Sequence, residues 1–217
     1  MSEALGKIDK PLVEEFKKGK KLYFVPLVFG GKESEAEYLE KFNRYWEQIE
    51  EQIANLESKL GPVSRVYCEM ISVGGEEGLK GIKNLNEKSH GVASRRLGMG
   101  AQLEVAEDDE LLTEFMDWGR CLLVGLQNKR VFDTVYESYT AASRKRDEYI
   151  ARHMDETLKP DETGLLFMRE GHHVQFCSDI QLFYVSPPAL DEINRWLRDR
   201  EARVRKSEDA EHPNAEV

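Results

Sequence analysis

Residues 163–188, TGLLFMREGHHVQFCSDIQLFYVSPP, restrict the fold more than any other part of the chain. Gly164-Leu165-Leu166-Phe167-Met168 is too continuously apolar for a strand with one wet face. Such a run predicts a strand covered on both sides, as in a parallel sheet packed between helices. It breaks at Glu170-Gly171-His172-His173, and a second apolar run follows over 180–185 before Pro187-Pro188 stops it. The connection between the two runs is short for a crossover helix. An antiparallel final pair and a crossover by a single turn therefore both stay open.

The rest of the chain supplies the other layers. Residues 22–29, LYFVPLVF, read as a strand, and Pro26 pushes that strand toward an edge or a bulge. Gly30-Gly31 follows, and Ser34 stands three residues before Glu37, a capping-box spacing that predicts a helix over about 34–60. Leu39, Phe42, Trp46, Ile49, Ile53, Leu56 and Leu60 make a coiled-coil-like seam along it. A strand over 63–73, Gly74-Gly75 and a helix over 76–86 repeat the strand–glycine–helix order, and a short helix over 89–97 follows. Residues 101–106 alternate as a short strand. Acidic residues 107–110 suit a helix start, where the macrodipole favours negative charge. Helix then continues through Leu123, and a second long helix is predicted over 126–158. Its stretch from Arg144 to Glu148 is so charged that it is expected to project into water. A last helix is expected over 191–203, and 206–217 lacks apolar anchors and reads as a disordered acidic tail.

The expected fold is α/β: a mostly parallel sheet flanked by helices, in one domain over 1–205. The helical excursions at about 34–60 and 108–158 are available to pair as an extended hairpin or to form an oligomer interface.

Composition limits function more than it defines it. With 41 acidic and 31 basic residues the formal charge is −10, which argues against non-specific nucleic-acid binding. Lys129, Arg130, Arg144, Lys145, Arg146 and Arg152 form the one basic stretch suited to an RNA- or ribosome-associated role. Lys17, Lys18, Lys20 and Lys21 read as a solvated lead-in, with Val13 and Phe16 seating a short helix. Cys68, Cys121 and Cys177 have no metal-type spacing and read as buried thiols in a reducing compartment. The N-terminus has no apolar signal core and no run approaches a membrane span, so a cytoplasmic location is expected.

If the strands are parallel, their carboxyl ends collect Gly30, Gly31, Gly74 and Gly75 with Ser72, Glu104 or Glu107, and Glu170, His172 and His173. The two Gly-Gly turns are candidates for cradling an anionic cofactor, but each precedes glutamates and neither fits a phosphate-loop pattern. No cofactor is identifiable. Glu170, His172 and His173 are the candidate catalytic residues of a small-molecule enzyme, such as a metal-assisted hydrolase drawing on Asp179 or Glu69. Adjacent histidines in extended chain point opposite ways, and HExxH and HxH are missing, so no metal site is assigned. Cys68 reads as a small core residue more readily than as a nucleophile. The segment DETLKPDETGLLFMREGHHVQF followed by DIQLFYVSPP resembles an uncharacterised prokaryotic protein family over the last third of the chain. That resemblance implies no activity and no site residue. The leading expectation is a cytosolic protein acting through protein contacts, as a homo-oligomer joined by its long helices.

Overall fold

The computed structural model describes residues 16–31 and 34–211, without the side chains of 207–211. In chain order the elements are β1 (Lys20–Pro26), α1 (Ala36–Leu60), β2 (Arg65–Cys68), α2 (Gly75–Leu85), α3 (Glu87–Gly98), β3 (Gln102–Leu103), α4 (Asp109–Leu123), α5 (Lys129–Thr157), β4 (Thr163–Met168), β5 (Ile180–Tyr184) and α6 (Pro188–Glu211). The five strands form one sheet in the order β3-β2-β4-β1-β5, and every pairing is parallel. The α/β expectation holds. The last two strands are neither antiparallel nor neighbours, because β1 lies between them. Residues 169–179 carry the chain across β1 without a helix.

Alternation along the central strands builds two cores. Tyr23, Val25, Val66, Cys68, Leu165 and Phe167 face one side, under α1, α2, α3 and α6. Leu22, Phe24, Tyr67, Leu166 and Met168 face the other, under Ile150 and Met154 of α5 and Val174 of the crossing loop. With both faces covered, β1 and β4 have no wet side, hence their unbroken apolar sequences.

Several sequence expectations change. Pro26 is not on an edge strand: β1 is internal, and Pro26 is its last residue. The β5 ladder closes at Val185 N–H to Phe24 O, so the donor proline lacks falls where the ladder has ended. Ser34 makes no capping box; α1 starts after Glu35 without a side-chain cap, and Ser34 Oγ accepts from Gly31 N–H at 3.0 Å. The α1 seam packs on the sheet and α6, while α5 lies on the opposite face, so the two long helices do not pair. The hairpin is α4 with α5. Lys20 and Lys21 are strand residues, not a solvated lead-in. Lys21 is buried and donates to Lys17 O and Gly19 O, and Lys20 bridges Asp155 and Asp179. Among the cysteines only Cys68 is buried, and Cys177 is exposed. Helix α6 continues to Glu211, past the start of the expected tail at 206; 212–217 and the Val13 expectation lie outside the described residues.

Helix α5 leads into the amino end of β4, so its amino-terminal half extends beyond the carboxyl edge of the sheet. At 1.5 Å per residue its 29 residues span about 43 Å, roughly twice the length of β4. None of residues 129–141 is buried, and in α4 only Leu112 is. The α4–α5 hairpin thus projects from the domain, with Leu123 and Val124 at its tip 85% and 73% exposed. The charged stretch at 144–148, expected in water, instead holds the hairpin's buried anchors, Arg146 and Asp147.

Candidate functional site

Strand β4 leaves the sheet toward the α5 face, whereas its neighbours β2 and β1 leave toward the α1 face. Both sides of the β4 carboxyl end are therefore topological switch points, where open α/β sheets form crevices. The residues there are Glu69 after β2 and Arg169-Glu170 after β4.

Glu69 is buried and takes two hydrogen bonds from Arg169 on its Oε1, from the backbone N–H at 2.9 Å and from Nε at 2.8 Å. Its Oε2 lies 3.7 Å from Arg146 Nη2. Arg146 grips the fully buried Glu107 with both Nε, at 2.7 Å, and Nη2, and its guanidinium stacks 4.9 Å above the Phe115 ring. Glu107 Oε1 also accepts from Met70 N–H at 2.8 Å, holding Met70 in a left-handed conformation at φ 66°. Burial pushes the Glu69 carboxyl up, against the pull of Arg169 and Arg146. Desolvation pulls the Arg146 guanidinium down, but Glu107 and Glu69 together more than offset this.

This group joins the ends of β2 and β4, the start of α4 and the middle of α5. It is a clamp at the root of the projecting hairpin. Four partners from positions 69, 107, 146 and 169 form no motif; the sequence points to the first three only in separate roles and does not single out Arg169.

The other candidates disperse. Glu170 is exposed and accepts from Tyr184 OH at 3.2 Å and Asn194 Nδ2 at 3.4 Å. Burial and then Glu170 push the Tyr184 phenol up to about 12. His172 turns onto Phe24, with ring centres 4.9 Å apart, while its Nδ1 accepts from Val174 N–H at 3.2 Å. His173 is exposed, and its backbone hydrogen-bonds the Asp147 carboxylate. Asp179 is at the opposite edge with Asp155 and Cys177. Those three bring ligand-type atoms within 4.8 Å of one another, and the Lys20 ammonium binds both carboxylates. Burial pushes the Cys68 thiol far up, which suits a core residue.

Gly30-Gly31 precedes α1, and Gly74-Gly75 opens α2. A Cβ on Gly30 would come within 3.0 Å of the Phe42 ring, and the Gly31 N–H is taken by Ser34. Gly74 caps α2, Gly75 adopts φ 63°, and Glu76 and Glu77 fill the first turn. The basic stretch is also divided: Lys129 pairs with Asp133, Lys145 with Glu114, and Arg146 with Glu107.

Burial pushes the His172 imidazole below its ordinary value of 6.5; His173 and Arg146 add to this, and Asp147 opposes it. A depressed imidazole means that the unfolded chain takes up the proton first, so stability falls as pH drops through 6.5 and below. The urea midpoint is expected to show that acid-side slope, and His172→Phe to reduce it. An identical slope in the variant would remove His172 as its source.

A large cleft lies along α5. It encloses about 940 Å³ between α5 and residues 171–177, and runs from Tyr136 past Arg144 and Arg152 to Asp155. Among the described residues no helix is long and apolar enough to cross a membrane. Comparison with protein-family models, curated proteins and solved structures found nothing that matches this chain.

Proposed function

We propose that this is a cytoplasmic protein that works through protein contacts, and that its first partner is a second copy of itself docked on the α4–α5 hairpin. The observation that carries this reading is the hairpin's unfinished core. Two helices can bury only the faces they turn to each other, yet Leu123, Val124 and Val131 remain exposed. Phe115, Trp118, Leu122 and Val135 are only half-buried. Apolar residues on more than one face of a helical hairpin are what a four-helix bundle needs.

Charge favours a like partner. The hairpin carries Glu110, Glu114, Asp117 and Glu137 beside Arg120, Lys129, Arg130 and Lys145, so the same surface offers both signs to its copy. A two-fold pairing then sets each apolar tip on its counterpart, with oppositely charged flanks facing. The clamp of Glu69, Glu107, Arg146 and Arg169 holds the hairpin at a set angle, which a repeatable interface requires.

Sedimentation at tens of micromolar is expected to give a dimer. Leu123→Glu with Val131→Glu is expected to give a monomer with unchanged circular dichroism. A wild-type monomer showing no concentration dependence would overturn the proposal.

A further inference from the structure

We infer that the cleft between α5 and residues 171–177 is a binding site for a nucleoside phosphate, with its ring at Tyr136 and its phosphates at Arg144 and Arg152. This goes beyond self-association and does not depend on it.

The cleft's volume of about 940 Å³ suits a ligand of that size. Its charges divide into occupied and free groups. Asp147 is engaged by the His173 backbone and by the field of Arg146, and Asp155 is held by Lys20. Arg144 and Arg152 have no carboxylate partner among the described residues; Arg152 only lies over the Tyr149 ring at 5.7 Å. Eight residues apart on one helix face, the two arginines stand about 12 Å apart along the axis, a spacing for an extended anion rather than a compact one. Glu148 sits one turn from each arginine and pairs with neither, so it is the local competitor for any anion.

The apolar end of the cleft is an aromatic ledge. Tyr136 is stacked on Phe132, with centroids 6.0 Å apart and planes 12° apart, and Tyr139 is stacked on Phe115 at 5.1 Å. A ring fixed from behind keeps one face for a planar ligand at little entropic cost. Tyr136 lies two helical turns before Arg144, again about 12 Å away, so base and phosphate are recognised at separate points. Planar stacking at one end with guanidinium pairing at the other is the chemistry of a nucleotide.

Isothermal titration of the full chain with ATP, adenosine and pyrophosphate separates the parts. Saturable binding of ATP is expected, with both fragments weaker. Arg144→Ala with Arg152→Ala is expected to weaken ATP by roughly tenfold or more while the circular dichroism is unchanged. Tyr136→Ala should weaken ATP and adenosine but not pyrophosphate, and Glu148→Gln should tighten ATP a few-fold. Leu123→Glu, at the hairpin tip and outside the cleft, is expected to leave ATP binding unchanged whatever the oligomeric state. No saturable heat at millimolar ATP, or equal affinity in the double arginine variant, overturns the inference. Pyrophosphate binding as tightly as ATP overturns the ring seat.

Discussion

Arg146→Met is expected to lower stability by about 3–5 kcal/mol, because it removes one side of a buried ion network and leaves the other side in place. Glu107 is fully buried and takes both of its guanidinium bonds from Arg146, so the variant leaves its carboxylate with one backbone donor, Met70 N–H. Glu69 fares better, since Arg169 still holds its Oε1 through two bonds. The expected loss is therefore dominated by Glu107, which the double variant tests. Replacing Glu107 by Leu together with Arg146→Met removes both charges, and a buried ion pair exchanged for apolar groups of similar size is often near neutral. The double variant should thus be more stable than Arg146→Met alone, by urea midpoint. If it is as unstable as the sum of the single variants, the pair is not coupled and the clamp is wrongly drawn.

How far the sequence showed these features follows from the range of the interactions behind them. β4 is legible because burial on both faces erases alternation, and six buried residues in a row leave one reading. β5 resembles it in composition but is an edge strand, with Leu182 and Tyr184 exposed, and its alternating burial could be mistaken for a continuous run. Pro26 misleads for a related reason. Proline excludes an internal position only where the ladder continues on its donor side, and here the β5 ladder ends at Phe24, two residues earlier. Ser34 has the spacing of a cap, yet its hydroxyl is drawn back to Gly31, a local competition that spacing does not reveal.

The hairpin and the clamp were the harder parts. Heptad-like spacing on α1 reports a buried stripe and cannot say whether a helix or a sheet buries it. Tyr38 and Tyr45, outside the heptad, widen that stripe to the breadth a sheet needs. The run at 144–148 reads as solvated because charge is normally exposed. Only the arrival of Glu107 from the β3–α4 connection makes Arg146 a buried residue. One signal was available: opposite charges, Glu69 and Arg169, directly follow the buried ends of two strands, Cys68 and Met168. In adjacent parallel strands such positions fall side by side, and the register places Cys68 opposite Phe167. That inference needs the strand order, which nothing local in the sequence states.

The largest apolar effect is expected in α1. Trp46 is buried between the helix and the sheet, its ring 5.2 Å from Tyr45, 6.4 Å from Phe42 and 6.3 Å from Phe167 of β4. Ile49, one turn on, is wholly buried. Trp46→Ala should cost about 3–5 kcal/mol and Ile49→Ala about 2–5 kcal/mol, from lost transfer energy plus a cavity that a packed sheet cannot close. Leu39 and Leu56 belong to the same heptad but are only half-buried, so alanine there should cost clearly less. The indole also separates packing from polarity. Trp46 Nε1 is buried without a hydrogen-bond partner among the described residues, so Trp46→Phe gives up volume but no hydrogen bond. It should therefore retain most of the stability that Trp46→Ala loses. Urea midpoints ordered wild type, Trp46→Phe, Trp46→Ala would match this account. Equal losses in the Phe and Ala variants would mean that the indole N–H, not the packed ring, carries the energy, and would refute it.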